Sequence, residues 1–323
     1  MIQAFFFRST LNGHADNGIN TMKILVVGAG ATGGYFGARL TQAGHEVAFL
    51  VREGRAQQLA EEGLVIKGFN DSFRLTPPTL TAETLKDNTW QLIILAVKHP
   101  HLTQVIEQIR PAVGDKTFIL PLLNGMDHIT ALQHHYGDRV LGGLCQIYAT
   151  LNSKNEIEQL TPLHRISFGA LSPAQQLGVM ALANELDGVG FTLQASQDIA
   201  SEMWEKYLFL STLGAVTCLA RADTQRILST SGGAQYITTL FNEVLTIVEA
   251  AGYQPRPQVV DHLLTTLLNN QTPLVSSLYR DVMAGNVSES AAIIGALVER
   301  AAVSQQSIPV LQACWVQLQL VKG

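Results

Sequence analysis

The chain has 323 residues, of which 47% are hydrophobic and 15% charged, and its formal net charge is −5. This composition excludes a mainly disordered chain, which would have lower hydrophobicity and higher charge, and the length suggests about two domains. A chain of this size buries about three quarters of its unfolded surface, so it needs no disulfide or metal to stay folded. The 21 basic against 26 acidic residues argue against a nucleic-acid or anionic-membrane partner.

Residues 1–21 are predicted to be an extension, either disordered or a leader. Gly13 and Asn17 give this segment turn chemistry without periodicity, and a strong strand begins only at Met22-Lys23. A start codon at Met22 or a vector-derived leader would each explain the segment, and the sequence leaves both open. These first residues also lack the long apolar stretch of a signal peptide.

From Lys23 onward, short apolar runs alternate with helical segments. Continuous apolar runs are typical of strands buried in a parallel sheet. The predicted strands are 24–27, 47–51, 92–97, 118–120 and 140–144, and predicted helices end near Gly44 and span roughly 101–110 and 126–136. This alternation predicts a Rossmann-type, doubly wound parallel sheet with helices on both faces. A few short strands between residues 145 and 170 are expected to extend the same sheet.

After about residue 190 the strand pattern stops and helical spacing takes over. The predicted helices are 197–220, 233–251, 257–268, 275–284, 288–305 and 309–320. The sequence therefore predicts an α/β domain over residues 22–195 and an all-helical domain over 196–323. The charge-free apolar stretch at residues 207–220 is too short to cross a bilayer, and no membrane partner is expected.

The three cysteines are Cys145, Cys218 and Cys314. They are widely spaced and odd in number, so they indicate neither a disulfide framework nor a metal site. We interpret them as small buried side chains of a protein in a reducing compartment, which predicts a cytoplasmic location.

A glycine fingerprint follows the first predicted strand and opens a helix. Gly28, Gly30 and Gly33 form a G-x-G-x-x-G motif, in the strand–turn–helix context that a dinucleotide-binding site requires. The first glycine permits the tight turn, the second allows close approach of the pyrophosphate, and the third lets the helix pack on the strand. A tight turn with no ligand is the less favoured alternative.

The residue after the second strand distinguishes the two nicotinamide dinucleotides. An acid there binds the ribose 2′-hydroxyl of NAD, whereas an arginine accommodates the 2′-phosphate of NADP. Arg52 stands at this point and Arg55 adds a second donor, so the sequence favours NADP. Glu53 is the rival for an NAD site, although an acid at this position also suits the start of a helix.

Two more polar residues follow predicted strands of this sheet. Lys98 follows 92–97 and Asn124 follows the strand at 118–120. Ligands bind beyond the carboxyl ends of strands in such folds, which makes both residues candidates for cofactor contacts. Alone, Lys98 could be a solvated strand end, and Asn124-Gly125 could be a simple turn.

Three residues of the helical half are candidates for chemistry. Lys206 enters a long apolar stretch, where a lowered pKa would suit a general acid, or it forms an i, i+4 ion pair with Glu202. Glu289 is either a site residue or part of a capping box with Asn286. Ser277 belongs to a serine pair that could simply cap a helix. Spacing alone favours the structural interpretation for all three.

A longer set of motifs favours the functional interpretation of these residues. They are Met22-Lys23-Ile24 with the glycines, Arg52, Val97-Lys98, Asn124-Gly125-Met126, Trp204-Glu205-Lys206, Ser276-Ser277-Leu278-Tyr279-Arg280-Asp281, Gly285, Ser288-Glu289 and Gly295. In order and spacing, the chain from Met22 to its C-terminus resembles the ketopantoate reductase (2-dehydropantoate 2-reductase) family.

The resemblance implies NADPH-dependent reduction of a 2-oxo acid to a 2-hydroxy acid, which in the family is ketopantoate to pantoate in pantothenate biosynthesis. It implies that Lys206 is the general acid, with Glu289 beside it as a second catalytic residue. Ser277 and Asn124 correspond to substrate contacts. The residues that correspond to cofactor contacts are Gly28, Gly30, Gly33, Arg52, Lys98 and Asn124. A homodimer is possible, and no metal is implied.

The sequence departs from the family at the substrate side. Two family asparagines, four and eight residues after the lysine, are replaced by Leu210 and Gly214, and an acid near Glu289 is replaced by Ala291. A more apolar 2-oxo acid is therefore an alternative substrate, and we expect asparagines at both positions to lower KM for ketopantoate. A 3-hydroxy-acid dehydrogenase and a non-catalytic NADP sensor are further alternatives, which Arg52 and the retained Lys206 disfavour.

Overall fold

The computed structural model describes residues 21–86 and 90–321. Its strands are β1 (Lys23–Val27), β2 (Glu46–Leu50), β3 (Leu64–Lys67), β4 (Ser72–Leu75), β5 (Thr79–Leu80), β6 (Leu92–Leu95), β7 (Phe118–Pro121), β8 (Gly142–Leu151), β9 (Ile157–Gly169) and β10 (Thr192–Ser196). The extension predicted for residues 1–21 lies outside the described residues, apart from its last residue.

Helices fill the connections and the second half. They are α1 (Ala31–Gln42), α2 (Glu53–Glu62), α3 (Leu102–Gln108), α4 (Asp127–Tyr136), α5 (Gln176–Glu185), α6 (Ile199–Ala220), α7 (Thr224–Leu228), α8 (Gly233–Ala250), α9 (Pro257–Leu267), α10 (Ser277–Met283), α11 (Ala296–Val303) and α12 (Pro309–Leu320). A π-helical turn, Ala291–Gly295, leads directly into α11. Among these helices none is long and apolar enough to cross a membrane.

The first sheet has five parallel strands in the order β5-β2-β1-β6-β7. All four residues of β6 and the last four of β1 are buried, because helices cover both faces of the sheet. The predicted parallel α/β half and the helical half are thereby confirmed. The carboxyl ends of β1, β2 and β6 open toward one edge, where a ligand cavity lies.

A second sheet, not predicted, has the order β10-β9-β3-β4, with β8 pairing antiparallel to β9. Two expectations are therefore wrong: the strand at 140–144 does not join the parallel sheet, and the strands after 145 do not extend it. Only Val140 makes an isolated parallel bridge, to Ile119. Beyond it the chain leaves the first sheet and packs closely on it, since a Cβ on Gly143 would come within 2.4 Å of the Leu120 side chain.

The helical half is built around α6, which packs against α8, α10, α12 and β8. Its N-cap is Asp198, whose carboxylate accepts a hydrogen bond from the Ser201 N–H at 3.2 Å. The strand pattern does not stop at residue 190 as expected, since β10 runs to Ser196 immediately before α6. The short α7 was also not predicted. The domain boundary at 195/196 stays a prediction.

Candidate active site

A cavity of about 520 Å³ lies beyond the carboxyl ends of β1, β2 and β6. Ligands of doubly wound sheets bind at this edge. The residues that line it include Gly28, Gly30, Arg52, Arg55, Lys98 and His101. The structure therefore brings most of the predicted cofactor residues to one place.

The glycine loop has the geometry that a dinucleotide needs. Gly28 has φ of +96°, and a Cβ there would come within 2.9 Å of the Ala96 carbonyl oxygen. A Cβ on Gly33 would lie 2.1 Å from the Gly28 carbonyl oxygen, so only glycine lets α1 start this close to the strand. A Cβ on Gly30 would meet nothing within 4 Å. That open cradle at the N-terminus of α1 fits a pyrophosphate.

Two arginines and a histidine are among the residues that line this cavity. The exposed guanidinium of Arg52 lies 3.0 Å from Nδ1 of His101, and Arg55 donates a hydrogen bond of 3.0 Å to the Ala29 carbonyl. Burial lowers the pKa of Arg55. Glu53 starts α2 and also borders the cavity. Sequence reasoning missed His101; its position three residues after Lys98, in the loop after β6, was the available signal.

Lys98 connects the two halves of the molecule. Its Nζ donates to Asp281 Oδ2 at 3.0 Å and to the Val287 carbonyl at 2.9 Å. Because Lys98 also lines the cavity beyond β1, β2 and β6, it is not merely a solvated strand end. Asp281 and Val287 bring the helical half to the cavity rim.

A second cluster of polar side chains lies where α6 faces the first sheet. Lys206 Nζ is 3.4 Å from Asn124 Oδ1, and Asn124 Nδ2 donates to Glu289 Oε2 at 3.2 Å. The other carboxylate oxygen of Glu289 accepts a hydrogen bond of 3.0 Å from the His99 N–H. Asn124 thus bridges Lys206, the predicted general acid, and Glu289, the predicted second catalytic residue. The structure gathers all three residues although they are far apart in sequence.

The structural alternatives for Lys206 and Glu289 are not realised. Glu202 accepts a hydrogen bond from Ser196 Oγ at 2.7 Å, and it makes no ion pair with Lys206 within the described ranges. The Asn286 N–H donates to the Asp281 carbonyl at 2.9 Å rather than to Glu289.

The serine pair divides its roles. Ser276 is the N-cap of α10, and its Oγ accepts a hydrogen bond of 2.9 Å from the Tyr279 N–H. The helix-capping interpretation therefore applies to Ser276. Ser277 is exposed as the first residue of α10, and its hydroxyl is not taken by the cap.

The two positions that depart from the family differ in their surroundings. Leu210 lines a cavity of about 10 Å³, large enough for about one water, together with Lys206 and Asn124. Gly214 is buried, and a Cβ there would lie 3.2 Å from Cδ2 of Leu278. Only Leu210 therefore borders the polar cluster.

His128, in the first turn of α4, is fully buried. Neither ring nitrogen has a hydrogen-bond partner in the part of the chain that the structure describes. Burial lowers the pKa of His128 to about 3, and the charges of His99 and Lys206 act in the same direction. The imidazole is therefore neutral.

The thiols show no sign of activation. Burial raises the pKa of Cys145, and it raises those of Cys218 and Cys314 to about 12. All three are free thiols. Within residues 21–86 and 90–321, no group of three or more His, Cys, Asp or Glu side chains is arranged to hold a metal ion.

Comparison with known proteins agrees with this architecture. Residues 24–173 match the sequence profile described as ketopantoate reductase PanE/ApbA, and residues 198–322 match that of its C-terminal part. An uncharacterized oxidoreductase, YkpB of Bacillus subtilis, is 33% identical over 303 residues, which cover 94% of this chain and 99% of that protein.

Solved structures show the same fold. A D-mandelate dehydrogenase in complex with NADH and anilino(oxo)acetate superposes with a TM-score of 0.84 at 21% identity, covering 93% of this chain and 98% of that chain. A 2-dehydropantoate 2-reductase from Geobacter metallireducens superposes with a TM-score of 0.82 at 24% identity, covering 93% and 99%.

Fold and cavity together define a two-domain oxidoreductase that uses a nicotinamide dinucleotide. The chain belongs to the ketopantoate reductase family, because the two profiles together match most of its length. The resemblance inferred from the motifs is thereby confirmed, as is the prediction that the protein is an oxidoreductase.

Proposed function

We propose that this protein reduces a 2-oxo acid to a 2-hydroxy acid with NADPH. The observation that carries the proposal is the connected set Lys206, Asn124 and Glu289, with hydrogen-bond distances of 3.4 and 3.2 Å. An ammonium held by an amide, which a carboxylate orients in turn, can stabilise and protonate an oxygen on which negative charge develops.

The roles of the chain's own groups follow from these contacts. When bound, the reduced nicotinamide supplies a hydride to C2 of the substrate. Lys206 Nζ then gives its proton to the former carbonyl oxygen. Asn124 orients the amine through its Oδ1, and Glu289 orients Asn124 through Nδ2. The His99 N–H fixes the carboxylate of Glu289, so the amine is directed before substrate binds.

NADPH is the proposed cofactor, with Gly28, Gly30 and Gly33 at the pyrophosphate and Arg52 at the 2′-phosphate. The pairing of Arg52 with His101 at 3.0 Å supports this assignment, because it holds a planar cation at the end of the cavity where an acid would select NAD. Lys98 and Asn124 complete the cofactor contacts. A structural neighbour was solved with NADH, so NAD is the competing cofactor.

Ketopantoate is the first candidate substrate, which would place the protein in pantothenate biosynthesis in the cytoplasm. The free thiols of all three cysteines support a reducing compartment. Leu210 beside Lys206 favours a second candidate, a more apolar 2-oxo acid. Ser277 is the proposed substrate contact from α10. A homodimer stays a prediction.

The test is NADPH oxidation, followed by absorbance, with ketopantoate, 2-oxoisovalerate, phenylglyoxylate and pyruvate. We expect turnover of at least one of these acids, with relatively better turnover of the apolar ones than of ketopantoate. The Lys206→Ala variant is the matched control for background oxidation. Absence of turnover with every acid, by a protein that still binds NADPH, would contradict the proposal and favour the non-catalytic NADP sensor.

A further inference from the structure

Arg280 lies on α10 against an aromatic ring of the other half of the molecule. Its guanidinium carbon is 4.9 Å from the ring centroid of Tyr148 on β8. The Tyr148 hydroxyl donates a hydrogen bond of 2.6 Å to the Val275 carbonyl, just before α10. The ring is therefore fixed beneath the guanidinium. A stacked guanidinium keeps its N–H groups free at the edge, where they can bind a carboxylate in two parallel hydrogen bonds.

Strand β8 shows where this cation lies relative to the two sites. At its start, Gly143 and Leu144 line the small cavity beside Lys206. At its end, Leu151 lines the cofactor cavity. Tyr148 comes between them along the strand, so Arg280 packs on the part of β8 that lies between the residues bordering the two cavities.

Helix α10 carries a second polar side chain near Arg280. Ser277 precedes Arg280 by three residues, which places both on one face of the helix. The side chain of Ser277 is exposed. Its hydroxyl is not used to cap the helix, because Ser276 is the N-cap. The next residue after Arg280, Asp281, accepts a hydrogen bond from Lys98 at the cavity rim.

The charges of this region do not cancel. Lys98 pairs with Asp281 at 3.0 Å, and Lys206 is connected to Glu289 through Asn124. Arg280 has no carboxylate within ion-pair distance in residues 21–86 and 90–321, unlike Arg256 with Glu205 or Arg300 with Asp127. The guanidinium of Arg280 is thus available to a carboxylate ligand.

We propose that Arg280, stacked on Tyr148, binds the carboxylate of the 2-oxo acid, with Ser277 as its neighbour. This inference rests on the proposed function and names the residue that selects acids over uncharged carbonyl compounds. It also explains how Leu210 can replace a family asparagine: Arg280 and Ser277 on α10 recognise the carboxylate, so no amide is needed at position 210.

The test compares a 2-oxo acid with its amide, for instance 2-oxoisovalerate and 2-oxoisovaleramide, in native protein and in Arg280→Gln. Losing a charged hydrogen bond should raise KM for the acid at least about tenfold, with a smaller change in kcat. KM for the amide should hardly change, so the preference for the acid shrinks. Arg280→Lys should restore part of it, because it keeps the charge without the planar fork.

Arg226→Gln is the matched control, since this exposed arginine lies on α7, away from the proposed site. NADPH affinity, measured by fluorescence, should be the same in all variants. If native protein prefers the acid and Arg280→Gln keeps both that preference and its KM, the inference is wrong while the proposed function stands. If native protein turns over neither acids nor amides, the proposed function itself fails.

Discussion

Lys206 is a half-buried amine whose nearest hydrogen-bond acceptor is an amide oxygen at 3.4 Å. Within the described residues no carboxylate contacts this amine directly, so its Nζ is not occupied by an ion pair. We expect Lys206→Ala to lower kcat at least about a hundredfold, as loss of a general acid does. NADPH affinity should hardly change. A drop in thermal stability with activity intact would show instead that Lys206 is only a structural residue.

His128 predicts how stability depends on pH. Its pKa is about 3 in the folded protein against about 6.5 in an unfolded chain. Below pH 6.5 the unfolded state therefore binds a proton that the folded state does not, and stability is lost as the pH falls. The contribution is at most about 1.4 kcal/mol per pH unit, down to about pH 3. Denaturant unfolding at several pH values measures it.

The matched pair for this measurement is His128→Gln and His134→Gln. His134 is exposed on the same helix. As the pH is lowered from 6.5 to about 3, the free energy of unfolding should decrease less steeply in His128→Gln than in native protein. His134→Gln should show the native slope. The difference from native protein is the relevant quantity, since burial also lowers the pKa values of His45 and His164. Equal slopes in both variants would contradict the assignment.

At the scale of elements, α6 presents residues 206, 210 and 214 at four-residue spacing, on one face toward α10 and the first sheet. Leu210→Asn should lower KM for ketopantoate, because the amide would enter the small cavity beside Lys206. The expectation that Gly214→Asn also helps stays a prediction, and it requires Leu278 to shift. Its Cβ would already touch Leu278, and overpacking costs about 1–3 kcal/mol.

The check is thermal unfolding of Gly214→Asn alone and combined with Leu278→Ala. The single variant should melt below native protein, and the second substitution should recover part of the loss by making room. KM for ketopantoate in Leu210→Asn is measured separately. An unchanged melting temperature in Gly214→Asn would show that α10 can move away from α6.

The elements that sequence analysis predicted are those whose signal is local. Buried parallel strands such as β6 are continuous apolar runs, and the glycine turn needs its three residues at fixed spacing. The β8–β9 hairpin carries no such signal, because apolar residues such as Leu160 and Leu163 are half exposed. The contact between Asn124 and Glu289 joins residues 165 positions apart, and only tertiary structure distinguishes it from a helix cap.

The π-helical turn is a second feature that sequence analysis missed. A helix was expected over 288–305, but the turn at Ala291–Gly295 widens it just after Glu289. The Tyr207 hydroxyl donates to the Ile293 carbonyl at 2.8 Å, and Gly125, with φ of +85°, packs against Ala292. These contacts stabilise the turn, and π-turns are frequent at functional sites. No single residue type predicts a π-helical turn from the sequence.

For the whole molecule, cofactor choice can be measured as a shift in melting temperature. A ligand that binds the folded state stabilises it in proportion to the logarithm of its affinity. If Arg52 binds the 2′-phosphate, NADPH should bind at least about tenfold tighter than NADH, which is about 1.4 kcal/mol. At equal saturating concentrations NADPH should raise the melting temperature by a few degrees more. Arg52→Glu should reduce this difference, and equal shifts in native protein would contradict the assignment.

The contacts across the two halves have a consequence for how such a protein can evolve. Lys98 with Asp281, the His99 N–H with Glu289, and Tyr148 with Val275 each take one partner from either half. The proposed catalytic set is divided in the same way, with Asn124 in the α/β half and both Lys206 and Glu289 in the helical half. Exchange of one half for that of a distant relative would break these pairs, and it would also disturb the core that Ile199 and Met203 of α6 share with the α/β half. The two halves must therefore be inherited as a unit, and a change at one partner constrains which residue can follow at the other.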